Sequence, residues 1–156
     1  HLDALDLKTI DELTRHGRMS WADLAGQLGL SAPAAAERVR RLEERGVIRG
    51  FAALVDAEAV GCALTAFVAV TLERPEHRAV FLDWARGCSN VQECHHLAGE
   101  DDYLLKVRCG GTRQLEALIS DELKGLPGVA RTRTSIALST VKETVAVPLP
   151  TEAGRR

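Results

Sequence analysis

The chain predicts an α+β protein: a helix-turn-helix of the winged kind, followed by a ferredoxin-like βαββαβ αβ-sandwich. Three observations carry this. Two helix starts and one helix stop fall within Met19–Pro33. From Leu64 onward, strand-like and helix-like segments follow one another as β-α-β-β-α-β. Glycines and prolines punctuate the boundaries, as at Gly17, Gly29, Gly46, Gly110-Gly111 and Gly125-Leu126-Pro127-Gly128.

Residues 3–16 predict a first helix, capped by Asp3, with Leu7, Ile10 and Leu13 along one stripe. Ser20 caps a second helix over 20–28, where Trp21, Leu24, Ala25 and Leu28 recur at helical spacing. Gly29 suits the left-handed stop. Ser31 caps a third helix to Arg45, with Pro33 tolerated in its first turn. Ala35, Val39 and Leu42 form its buried stripe, and Ala34, Glu37, Arg40, Arg41 and Glu44 its outer side, with Arg38 on the flank. Two short helices joined through a glycine turn carry the signature of helix-turn-helix DNA binding, though any αα-hairpin shares the local pattern. Val47–Val55 predicts an extended hairpin or wing, and Asp56–Ala63 a linker with one helical turn.

The second half opens with a strand over 64–73, rich in Val, Phe and Thr, ended by Arg74-Pro75. A helix over 77–86 follows, with Val80, Phe81 and Trp84 on one face. Strands over 91–98 and 103–109 flank the polar turn Gly99–Asp102. A helix over 112–124 carries Leu115, Leu118, Ile119 and Leu123, and 129–145 reads as one long extended segment. An antiparallel sheet with helices on one face leaves the other face open. Phe67, Cys94 and Leu104 are expected to form an apolar patch there, which a second copy would cover. The expected division is 1–50 for DNA binding, 51–63 as linker, 64–146 as the ferredoxin-like domain and 147–156 as tail.

With 156 residues, 46% of them hydrophobic, the chain can bury a core without staples. No apolar run reaches the length of a membrane span, and the N-terminus carries no secretory pattern, so no membrane partner and a cytoplasmic location are expected. Cys62, Cys88, Cys94 and Cys109 form no C-x-x-C pair and read as buried free thiols. The net charge of -2 gives no global attraction to nucleic acid, so a DNA binder must concentrate its cations locally. Arg38, Arg40, Arg41, Arg45 and Arg49 supply that concentration.

Several separated motifs resemble the Lrp/AsnC, or feast/famine, transcription regulators. They are Leu2-Asp3 with Asp6, Gly17-Arg18, Gly29-Leu30-Ser31, Arg38-Val39-x-Arg41-Leu42-Glu43-x-x-Gly46-Val47-Ile48, Asp56 with Gly61, and Gly99-x-x-Asp102-Tyr103. The resemblance spans nearly the whole chain. It implies a regulator that binds double-stranded promoter DNA, forms dimers that assemble further, as far as an octamer, and responds to an amino acid held between dimers. It also places the effector turn at Gly99, Glu100, Asp101 and Asp102, with Leu97, Ala98, Thr134 and Ser135 as further pocket residues. Asp101 departs from the aromatic or apolar residue that many members carry there.

In the major groove, Ser31, Ala32, Ala34, Ala35 and Arg38 would lie nearest the base edges, with Arg38 pairing with guanine or clamping a phosphate. Arg40, Arg41 and Arg45 would meet phosphates or solvent, competing with ion pairs to Glu37 or Glu44, and Ser20 is a further DNA-binding candidate. So alanine-rich a surface predicts modest base specificity. Cys94-His95-His96 places Cys94 and His96 on one strand face, but no third ligand lies near in sequence, so no metal, cofactor or catalytic residue is assigned. Two other readings stand beside the effector-responsive regulator. One is an effector-independent architectural DNA binder; the other is an enzyme on the same scaffold, such as the tetrapyrrole decarboxylases that resemble this family.

Overall fold

A computed structural model describes residues 1–150. The described residues divide into two compact units, His1–Ala53 together with residues 142–150, and Leu54–Val141. In the first, α1 (Ala4–Arg15), α2 (Trp21–Leu28) and α3 (Ala32–Glu44) begin at side-chain caps. Asp3 and Asp6 cap each other's amides reciprocally, at 2.7 and 3.1 Å. Ser20 accepts from the Asp23 amide and Ser31 from the Ala34 amide. Gly29 ends α2 at φ 68°, a left-handed conformation that costs a residue with a Cβ about 1–2 kcal/mol.

Leu24, Ala25, Leu28, Ala35 and Val39 form the core between α2 and α3, with Leu5, Leu13, Met19, Leu30 and Ile48 packed around it. The buried positions of α1 differ from the expected apolar stripe: they are Asp6, Thr9 and Glu12. Each is made compatible with burial by a polar partner. Thr9 donates to the Leu5 carbonyl, Glu12 accepts from Arg15, and Asp6 accepts from Arg38.

The expected wing does not form: 47–55 carries no strand. Phe51, Leu54 and Val55 are exposed there, and no other segment pairs with them. A single 3₁₀ turn, Glu58–Val60, occupies the linker.

The second unit is a four-stranded antiparallel sheet of order β2-β3-β1-β4, made of β1 (Leu64–Leu72), β2 (Val91–His96), β3 (Tyr103–Cys109) and β4 (Val129–Ile136). Helix α4 (Arg78–Gly87) connects β1 to β2, and α5 (Thr112–Glu116) begins the connection from β3 to β4. The predicted helix over 112–124 widens after one turn. Ala117–Leu123 is π-helical, and the Lys124 amide reaches the Ile119 carbonyl at 2.8 Å. This still buries Leu115, Leu118, Ile119 and Leu123.

Ala66, Val68 and Val70 of β1 and Tyr103, Leu105, Val107 and Cys109 of β3 face these helices and form the core with Phe81. In α4 the buried positions are Phe81 and Ala85; Val80 is exposed. Gly128, at φ 80°, lies so close to His77 that an added Cβ would fall 1.9 Å from its ring.

Two further expectations are corrected. β4 ends at Ile136 instead of continuing to residue 145, because its only ladder partner runs out. Thr65 accepts the Ala137 amide, β1 begins one residue earlier at Leu64, and 137–150 carries no strand. Cys94 pairs with Leu105 and therefore shares the helix-covered face, not the open one. The open face keeps Phe67, opposite Lys106, and Leu104, opposite Ala69. Of the expected tail, 147–150 has no regular structure and 151–156 lies outside the described residues.

Candidate nucleic-acid interface and effector turn

The outer ridge of α3 is built by elimination. Ala35, Val39 and Leu42 are buried, which turns Pro33, Ala34, Glu37, Arg40, Arg41 and Glu44 outward. Ala35 is fully buried against α2, so the expectation that it meets base edges is corrected: it is core. Ser31 and Ala34 are exposed at the start of the ridge, Ala32 is half-buried, and Ser20 is exposed at the cap of α2.

The arginines divide by partner. Arg38 turns away from the ridge toward α1. Its Nη1 lies 2.9 and 3.0 Å from the Asp3 carboxylate oxygens and 2.8 Å from Asp6 Oδ1. The Asp6 amide and the Arg38 guanidinium together hold the Asp3 carboxyl below the usual carboxylate range. Arg38 is thus a strut between α1 and α3.

Arg40 bonds both Glu37 and Glu44, and Arg41 meets Glu37 at 3.2 Å. Hydrogen bonds from Arg40 first, then Arg41, bring the Glu37 carboxyl down to about 2. Glu37, which motif reasoning treated only as a counter-charge, stands on the ridge as an acceptor shared by Arg40 and Arg41. Arg41 and Arg45 are exposed, with Arg45 reaching the His1 carbonyl at 3.2 Å.

The turn Gly99–Asp102 is exposed at Gly99 and Glu100 and anchored at Asp101 and Asp102. Asp101 is buried and takes three donors: Thr71 Oγ1 at 3.0 Å, Arg131 at 3.4 Å, and Arg133. The Thr71 hydroxyl, then the Arg133 and Arg131 guanidiniums, lower its carboxyl pKa. Asp102 Oδ2 accepts the Leu72 amide at 2.7 Å. Leu97 donates its amide to the Asp102 carbonyl, and Ala98, Gly99 and Glu100 are exposed.

Thr134 and Ser135 sit opposite Val68 and Phe67, so they belong to opposite faces of the sheet. Thr71, Arg131 and Arg133 were missed in the sequence. The alternation of two arginines along β4 was the available signal. In the Cys94-His95-His96 run, burial pushes the Cys94 thiol up, His95 bonds Glu93 at 2.9 Å, and His96 stacks on Tyr103 at 4.8 Å. Among the described residues no cluster of three metal-ligating side chains occurs, and no helix is long and apolar enough to cross a membrane.

Comparison with known proteins agrees with this division of labour. A winged helix-turn-helix DNA-binding family matches residues 2–49, and the Lrp/AsnC ligand binding domain matches residues 65–147. The leucine-responsive regulatory protein of Haemophilus influenzae is 40% identical over 145 residues, covering 92% of this chain and 87% of the relative. That of Escherichia coli is 38% identical over 144 residues, covering 91% and 88%.

Among solved structures, a transcriptional regulator of Neisseria meningitidis in complex with L-methionine superposes with TM-score 0.90 at 30% identity, covering 95% and 97% of the two chains. A feast or famine regulatory protein of M. tuberculosis, complexed with L-methionine, gives TM-score 0.87 at 37% identity, covering 94% and 99%. The relatives are named as regulators of transcription rather than enzymes. A capped, glycine-hinged helix pair ahead of a β2-β3-β1-β4 sandwich, matched along both halves, makes this chain a member of the Lrp/AsnC family of DNA-binding transcriptional regulators.

Proposed function

We propose that α3 enters the major groove with Ser31, Ala32 and Ala34 nearest the base edges and Glu37 following them. Arg40, Arg41 and Arg45 then lie along the flanking phosphates, with Ser20 at the adjacent backbone. Arg38 contributes by setting the angle between α1 and α3, not by touching DNA. The observation that carries this reading is the outward ridge of α3, where the apolar stripe is wholly buried and charge stands on the other side. Few hydrogen-bonding side chains near the helix start favour modest base discrimination, with affinity drawn from phosphates and from several linked half-sites.

The same reading has the ferredoxin-like domain dimerise through its open sheet face, where Phe67 is 39% exposed. Dimers then assemble further and respond to an amino acid at the Gly99–Asp102 turn. The L-methionine bound by two structural relatives supports an amino acid effector here. Effector binding acts by favouring one assembly over another, which changes the spacing of the DNA-binding units. The protein works in the cytoplasm as a regulator and not as a catalyst.

The test is direct. The purified chain is titrated into genomic duplex fragments at low ionic strength. Its melting temperature and size are then followed against the twenty amino acids. Failure to bind any duplex refutes the DNA reading. Absence of any stabilising amino acid refutes the effector reading.

A further inference from the structure

We infer that Glu37 is the side chain with which α3 reads a base, and that the base is cytosine, taken by its N4 amino group in the major groove. This rests on the DNA reading above and assigns the base pair that the outward ridge selects.

The outer side of α3 offers few side chains able to tell one base from another. Ala32, Pro33 and Ala34 carry no polar side-chain atom. The Ser31 hydroxyl accepts the Ala34 amide at 3.3 Å as the helix cap, and a hydroxyl suits donors and acceptors alike. Arg38 is turned onto Asp3 and Asp6. Glu37, three residues beyond Ala34 and so on the same side, is the first outward residue whose chemistry discriminates.

Its carboxylate is fixed in place and nearly filled. Oε1 accepts Arg40 Nη2 and, at 3.2 Å, Arg41 Nε, while Oε2 accepts Arg40 Nε at 2.8 Å. Arg40 is held in turn by Glu44. A carboxylate has about four lone-pair sites, so one remains, on Oε2. The other acids of the helix differ. Glu44 meets Arg40 alone, at the last residue of α3, and Glu43 has no ion pair among the described residues. The two guanidiniums on Glu37 also offset the charge that phosphates would repel.

An ionised carboxylate can only accept. In the major groove guanine presents the acceptors O6 and N7, and thymine presents O4 and a methyl group. Adenine sets its N6 donor beside the N7 acceptor. Cytosine alone offers an amino donor with no acceptor next to it, and its single groove-facing N–H matches the single open site on Oε2.

The test selects duplexes from a random pool with the purified chain, then measures affinity for the selected duplex at fixed salt. A cytosine should be enriched at a set position, and replacing that C·G pair by T·A should weaken binding roughly tenfold. N4-methylcytosine keeps the pairing hydrogen and puts a methyl group in place of the groove-facing one. At that position it should weaken binding by a similar factor, with the protein unchanged. Glu37→Ala should bind the C·G, T·A and N4-methylcytosine duplexes alike while remaining folded by circular dichroism. Glu37→Gln should move the preference toward A·T, because an amide accepts from adenine N6 and donates to N7.

A selected duplex with no set cytosine, or a cytosine preference that Glu37→Ala retains, overturns the assignment while leaving DNA binding in place. Equal wild-type affinity for cytosine and N4-methylcytosine duplexes does the same. If no duplex is bound, the DNA reading falls and the assignment falls with it.

Discussion

Arg38→Ala is the most informative substitution in the DNA-binding half. A motif reading sends this guanidinium to guanine or phosphate; the structure spends it on Asp3 and Asp6. The Arg38 and Asp6 side chains are only 25% and 12% exposed, so their contact exceeds a surface pair, which is worth about 0–1 kcal/mol. A charge-assisted hydrogen bond in partly buried surroundings contributes about 1.5–3 kcal/mol, and the low end applies because both groups keep some solvent. The Asp3 side chain is 58% exposed and adds about 0.5 kcal/mol.

The sum, about 2 kcal/mol, lowers the melting midpoint of so small a unit by roughly 8–16 °C, at about 4–8 °C per kcal/mol. The assay pairs a thermal melt followed by far-ultraviolet circular dichroism with duplex affinity measured over a range of salt. Affinity should fall through helix misplacement, but the slope of log K against log salt should hold, because no phosphate contact is lost. A slope reduced by about 0.9 with an unchanged melt is the signature of a lost phosphate contact and would refute the strut. Arg41→Ala is the opposite control, with the slope reduced and the melt intact.

Three further outcomes are expected. Glu37→Ala removes an anion from the ridge and releases Arg40 and Arg41, so non-specific duplex affinity at low salt should rise with a steeper salt slope; weaker binding would instead make Glu37 a contact on any sequence. Gly128→Ala forces a Cβ into the His77 ring at a left-handed backbone position, so it should cost at least about 2 kcal/mol in urea denaturation, with part recovered in the His77→Ala background; a neutral result would show that the loop yields freely. Asp101 has a lowered pKa in the fold, so its stabilisation is complete above the unfolded value near ~3.9 and is lost as pH falls through the lower folded one. The stability gap between wild type and Asp101→Asn should therefore close in the acid range, and a gap that persists to the lowest pH would assign the effect to packing.

The elements that announced themselves in the sequence are those whose cause is local. Ser20, Gly29 and Ser31 fix helix ends within a few residues, and Ala35, Val39 and Leu42 repeat at helical spacing, so α2 and α3 could be read directly. The alternation over 103–109 likewise separates Tyr103, Leu105, Val107 and Cys109, the buried set, from Leu104, Lys106 and Arg108. What stayed hidden depends on distant partners. Arg38 and Asp6 are 32 residues apart, as are Asp101 and Arg133, and nothing local distinguishes a spent arginine from a free one. The length of β4 was hidden for the same reason: its composition stays strand-like, but the neighbour that would bond it stops. Cys94 was assigned to the wrong face because the β2–β3 register shifts between Val91 and Glu93, which parity counting from the strand start does not anticipate.

The grip of Asp101 on Arg131 and Arg133 gives the sheet an unusual mechanical property. The turn joining β2 and β3 reaches across β1 and fastens to the far edge strand, so two strands that share no ladder are nevertheless yoked. Past β4 the chain leaves this unit at Val141 and joins the helical one at Lys142, one of two covalent crossings between them. A pull on the turn is therefore carried into β4 through Arg131 and Arg133, and the ladder of that strand ends at Ile136, short of the crossing.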